Sequence, residues 1–206
     1  MDQQGMSYDR IAEEIFAPIY PRIAQDLLEA TGVRAGRMMD IGCGGGHLGF
    51  AVMEQAPFEG LFLDIRGEAL TSARARAEAR GLLDRCTFRT GDVQRMDLPD
   101  GCADLVISRG SMIFWEDQEA AFREIYRILA PGGCTYVGTG LGSTELREQI
   151  RAKMRSADPC WPRRLRENSL ALSTPAYRAL FQSLGWDFTI LENESQGRWI
   201  LLRKPR

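Results

Sequence analysis

Histidine is almost missing from this chain of 206 residues, where His47 is the only one. A single imidazole excludes multi-histidine metal sites and leaves any Ser-His-Asp arrangement one available base. The five cysteines, at 43, 86, 102, 134 and 160, are odd in number and never spaced C-x-x-C, which argues against a disulfide framework or a zinc cluster. No apolar run approaches the roughly 20 residues that cross a bilayer. Met1-Asp2-Gln3-Gln4-Gly5 has neither the basic nor the apolar region of a secretion signal, so the expectation is a cytoplasmic protein with no membrane contact. An excess of one charge is lacking too: 26 basic residues against 28 acidic ones leave −2, which speaks against nucleic acid as a partner. What is present is 44% hydrophobic residues, enough for one sizeable core, and a single domain over 1–206 is expected.

From Arg37 to Val137 short apolar runs alternate with amphipathic stretches, the pattern of βα units in a mostly parallel sheet. Strands are expected near 37–41, 60–65, 86–90, 103–108 and 133–139, with helices at about 46–56, 67–82 and 117–130. The last helix opens at Asp117 and closes before the breaker Pro131-Gly132-Gly133. Upstream, Tyr8–Ala17 and Arg22–Ala30 read as helices separated by Pro18 and Pro21, with Gly32 as a stop. Downstream, Thr174-Pro175 opens a helix to about Leu184, and 186–192 and 198–203 read as an antiparallel hairpin around Glu194–Gly197.

The most informative stretch runs from Met38 to Gly49, a strand entering a glycine turn that opens a helix. Such a turn lets a ligand approach bare backbone at a helix N-terminus. Gly44-x-Gly46-x-x-Gly49 fits the dinucleotide fingerprint, and Asp64 follows Gly44 by 20 residues, where an acid would hold a ribose hydroxyl. Spacing leaves the cofactor open. Charge discriminates, because Asp40 at the strand end would repel a pyrophosphate and attract a ligand bearing an ammonium and a sulfonium, such as S-adenosylmethionine. Plainer readings stand beside these: a loop that only packs helix on sheet, Asp64 and Asp92 as caps or turn residues, His47 bonded to local backbone, and Cys43 as a small packing residue.

Taken in order, Asp40-x-Gly42-x-Gly44-x-Gly46, Leu63-Asp64-Ile65, Gly91-Asp92-Val93, Ala103 to Ser108 and Glu124 to Gly133 resemble the class I S-adenosylmethionine-dependent methyltransferases, particularly the small-molecule branch. The resemblance covers Tyr8 to Gly138. It implies a doubly wound, Rossmann-like α/β fold with a seven-stranded sheet, mostly parallel with an antiparallel C-terminal hairpin, and N-terminal helices over the cofactor site. It also implies that Asp40, Gly42, Cys43, Gly44 and Gly46 wrap the methionine portion, that Asp64 with Ile65 takes the ribose, and that Gly91, Asp92 and Val93 take the adenine. Ser108, Arg109 and Gly110 are then expected at the reactive end, with S-adenosylhomocysteine as product. Within the single domain the expected parts are a helical cap (1–35), a cofactor-binding core (36–140), an acceptor lid (141–173) and a C-terminal helix and hairpin (174–206).

The methyl on a sulfonium is already activated, so alignment of a nucleophile is the main task and no metal is required. Relatives of this branch often place a His after the fourth strand, but Arg109 to Asp117 contains none. Asp117 reads as a helix N-cap and Glu116 as a first-turn acid, so no catalytic base is assigned. The expected acceptor is a small molecule needing little proton removal, such as a thiolate or an activated carbon. Leu141 to Leu170 carries seven basic residues against four acids, which suits an anionic acceptor or a solvated helix face. Tyr20, Trp115, Cys160, Arg163 and Arg164 are the candidate acceptor contacts. A nicotinamide-dependent oxidoreductase, and a protein that binds S-adenosylmethionine without transferring methyl, are the alternatives.

Overall fold

The computed structural model describes residues 7–160, 163, 169–194 and 196–206. Its strands are β1 (Gly36–Ile41), β2 (Phe58–Asp64), β3 (Cys86–Thr90), β4 (Ala103–Arg109), β5 (Leu129–Thr139), β6 (Asp187–Asn193) and β7 (Gly197–Arg203), in the order β3-β2-β1-β4-β5-β7-β6. The first five pair in parallel, and β7 inserts antiparallel between β5 and β6. The longer helices are α1 (Ile19–Thr31), α2 (His47–Gln55), α3 (Gly67–Ala79), α4 (Gln118–Ile128), α5 (Thr144–Ala157) and α6 (Thr174–Ser183). The doubly wound fold with an antiparallel C-terminal hairpin is therefore what the chain adopts.

Strand side chains alternate between two apolar layers. Met38, Leu105, Ile107 and Tyr136 point to the layer filled by α1, α2, α3 and the inner face of α5. Met39, Val106 and Val137 point to the other, filled by α4, α6 and Trp115. Burial on both faces is why these central strands read as unbroken apolar runs.

Three boundaries depart from the sequence expectation. Pro21 lies inside the first turn of α1 rather than before the helix, because a first-turn N–H has no intrahelical partner to lose. The helix starting at Gln118 ends at Ile128 and passes directly into β5, with Leu129 beside Ala103; Pro131 to Gly133 then bulge out before Cys134 pairs with Leu105. The solvated helix expected around Arg147–Arg155 is longer at both ends: Ser143 accepts the Leu146 N–H and opens the 14-residue helix α5.

The N-terminal helical segment, Tyr8–Arg10 followed by a wide π-type turn at Ile11–Ile15, lies across the carboxyl ends of the strands and lines the cavity there. Arg76 holds it down, donating to both Asp9 oxygens at 2.9 and 2.8 Å and to Glu13 at 2.9 Å. Among the described residues no helix is long and apolar enough to cross a membrane.

Candidate active site

The cavity at the strand carboxyl ends has a volume of about 1030 Å³. Its floor is the turn from Ile41 to α2. Gly42 and Gly46 sit at φ 62° and 78°, in the left-handed region. A Cβ on Gly42 would stand 2.4 Å from the Ser111 side chain, and one on Gly46 would stand 2.5 Å from the Phe50 ring, so only glycine fits either place. The Cys43 N–H donates to Leu63 O at 3.1 Å, tying the turn to β2. Cys43 itself is no candidate nucleophile, since burial pushes its thiol well above its ordinary value.

Three carboxylates reach the cavity from adjacent strand ends. Asp40 on β1 is 2% exposed and accepts the Gly49 N–H at 3.0 Å. Burial pushes its carboxyl up to about 7, the Gly49 N–H working against this and the Asp64 charge adding to it. Asp64, ending β2, accepts N–H groups from Gly44 at 2.8 Å and Arg66 at 2.9 Å. Asp92, just past β3, accepts the Gln94 N–H at 2.9 Å in an Asx turn. The turn and bracing roles are thus real. They leave room for a ligand, because a carboxylate offers about four lone-pair sites.

His47, at the start of α2, stacks on Tyr20 with ring centroids 5.2 Å apart. Its Nε2 lies 3.6 Å from Asp9 and has no hydrogen-bond partner among the described residues. Burial, aided by the Arg76 charge, pulls the imidazole down to about 4, so it is neutral at physiological pH.

Of the residues singled out in the sequence, Asp40, Gly42, Cys43, Gly44, Asp64, Ile65, Gly91, Asp92, Val93, Arg109 and Gly110 all line this cavity, as do Tyr20 and Trp115. Two stand behind its wall instead. Ser108 is fully buried and donates to Ile41 O at 2.7 Å, and Gly46 is occupied with the Phe50 ring, so both shape the loop without facing the space. Cys160, in the turn after α5, and Arg163 are exposed and lie off the cavity wall, while Arg164 lies outside the described residues. Asp117 is the N-cap expected of it, accepting the Ala120 N–H at 2.9 Å. Sequence reasoning missed Asp9, Phe16, Gly140 and Glu194 as cavity residues and did not separate Arg147 and Arg151 from the other cations of the lid. The spacing of those two, i and i+4, was the available signal, since it sets them on one face of α5.

The glycine cradle and flanking carboxylates fit S-adenosylmethionine better than a dinucleotide, since a buried acid lies under the turn where a pyrophosphate would rest.

Comparison with known proteins agrees. The family described as "Methyltransferase domain" matches residues 38–133. Demethylmenaquinone methyltransferase of Thermus thermophilus is 39% identical over 98 residues, covering 47% of this chain and 44% of that protein. Aklanonic acid methyltransferase of a Streptomyces strain is 32% identical over 134 residues, covering 64% and 59%. The chain thus spans less than two thirds of the length of either curated relative. A Methanococcus maripaludis protein, solved as a candidate S-adenosylmethionine-dependent methyltransferase, superposes with a TM-score of 0.89 at 35% identity, covering 100% of this chain and 98% of that one. With that full-length match added to the motifs and the cavity, this chain belongs to the class I S-adenosylmethionine-dependent methyltransferases.

Proposed function

We propose that the protein transfers a methyl group from S-adenosylmethionine to a small-molecule acceptor. The observation that carries this reading is one cavity joining the glycine turn and three strand-end carboxylates to an apolar and cationic far wall. When bound, S-adenosylmethionine supplies a methyl on a sulfonium, which an aligned nucleophile displaces as a neutral thioether departs.

The chain's own residues bind and orient. Asp64 takes the ribose hydroxyls on its remaining lone pairs, Asp92 the adenine amino group, and the turn from Asp40 to Gly44 the amino-acid portion. Asp40, ionised, favours positive charge beside the turn. Tyr8, Phe16 and Tyr20 from the N-terminal cap and Phe114 and Trp115 after β4 shield the reacting space from water. No side chain is assigned as a base, so the acceptor presents an already reactive centre such as a thiolate or an activated carbon. The four parts of the chain act as one domain, and the lid contributes through Arg147 and Arg151, whose charge suits an anionic acceptor.

The test is a metabolite-extract screen for S-adenosylhomocysteine release, followed by mass spectrometry of the product. Release only when acceptor is added supports the proposal. Binding without release from any fraction identifies a binding protein, and tight NAD binding restores the oxidoreductase reading.

A further inference from the structure

Arg109 is the last residue of β4, and its guanidinium lies in the cavity wall without an acid to answer it. Its Nε donates to Gly140 O at 3.0 Å, and the group lies over the rings of Phe16 at 4.8 Å and Tyr20 at 5.6 Å from their centroids. Among the described residues it forms no ion pair. A guanidinium costs much to desolvate unless it is paired, and the ring contacts offset only part of that cost. The backbone bond through Nε fixes the plane and leaves the Nη groups uncommitted, which is the fork that matches a carboxylate.

A second cation stands nearby in the fold. Arg147, on α5, lines the same cavity with its side chain 19% exposed, and its buried Nε has no hydrogen-bond partner among the described residues. One of its Nη groups donates to Glu194 O, which anchors the side chain without neutralising it. The Glu194 carboxylate is 95% exposed and 3.9 Å away, too solvated to cancel the charge.

Topology decides which reactant these cations serve. Asp64 and Asp92 stand at the ends of β2 and β3, on one side of β1 in the sheet, whereas Arg109, Gly140 and Gly197 stand at β4, β5 and β7 on the other. A nucleoside held at β2 and β3 leaves the β4–β5 end to the second reactant. We infer that the methyl acceptor carries a carboxylate, received by Arg109 with Arg147 in support. The inference rests on the methyl-transfer reading, and it moves Arg109 from the cofactor's contacts to the acceptor's.

The experiment uses wild-type protein loaded with S-adenosylhomocysteine and titrated in a calorimeter with benzoate and with its neutral counterpart benzamide. Benzoate is expected to bind at least about tenfold more tightly, and Arg109→Gln to remove that preference. The wild-type comparison stands even if the variant does not fold. Equal binding of the two probes, no benzoate binding, or displacement of S-adenosylhomocysteine by benzoate overturns the inference, the last by giving Arg109 to the cofactor's own carboxylate. Failure of S-adenosylhomocysteine itself to bind is a separate result, which removes the methyl-transfer reading and this inference with it.

Discussion

Asp64 braces the glycine turn of the neighbouring strand, its Oδ2 accepting the Gly44 N–H at 2.8 Å. The same carboxylate accepts the Arg66 N–H through Oδ1, so one side chain shapes the cradle and also faces the cavity. Asp64→Ala is expected to weaken S-adenosylmethionine binding about 10- to 100-fold and to lower the stability of the ligand-free protein by about 1–3 kcal/mol. Calorimetry and denaturant unfolding measure the two effects separately. Normal affinity in the variant would refute the ribose role.

Cofactor binding is expected to depend on pH through Asp40. Its folded carboxyl is raised from 3.8 to about 7, so the ligand-free protein holds this proton more tightly than the unfolded chain does. The stability this confers is present at low pH and is lost as pH rises from 3.8 through about 7. A bound sulfonium and ammonium favour the carboxylate, so binding expels a proton and S-adenosylmethionine affinity rises with pH until Asp40 is ionised in the free protein. Calorimetry in buffers of different ionisation enthalpy reads the released proton, and Asp40→Asn should abolish the release.

Ser108→Ala is expected to leave S-adenosylmethionine affinity within about twofold while costing about 1 kcal/mol of stability. Its hydroxyl faces Ile41 O, and Ser111 Oγ at 3.2 Å from the same carbonyl softens the loss. A large drop in affinity with unchanged stability would place Ser108 in the site after all.

The bidentate Arg76–Asp9 pair fastens the cap. Asp9 is partly exposed, so the pair contributes only about 1 kcal/mol, yet it is local to the segment that closes the cavity. Asp9→Asn should speed amide exchange over residues 8–16 and accelerate S-adenosylhomocysteine dissociation, with global stability nearly unchanged. Stopped-flow release and hydrogen exchange would show this, and unchanged rates would mean the cap does not gate the ligand.

The parts legible in the sequence are those set by backbone: the βα alternation, the glycine turn, the Asp117 cap and the closing hairpin. Gly42 and Asp64 could be read because turn sterics and strand-end position leave few alternatives. What could not be read depends on side-chain direction in three dimensions. Ser108 and Arg109 are neighbours on β4, yet alternation sends one to the Ile41 carbonyl of the adjacent strand β1 and the other onto Phe16 and Tyr20. The aromatic partners of Arg109 come from a segment more than 80 residues upstream, which no local pattern announces. Helix α5 is legible only as a solvated face, and its inner side is not, because only Ile150 and Met154, one turn apart, are buried.

The insertion of β7 between β5 and β6 bears on the order in which the molecule can assemble. The outer edge of β5 pairs with residues 198–203, the last strand of the sheet to be synthesised. Until those residues arrive, β5 presents an unpaired edge, a template for association with other chains. Gly197 and Glu194 also belong to the cavity wall, so the nascent protein has most of its glycine cradle long before it has a finished cavity. Ligand binding is therefore expected to report on completion of the sheet, and a truncation that removes β7 should leave an aggregation-prone sheet rather than a weaker enzyme.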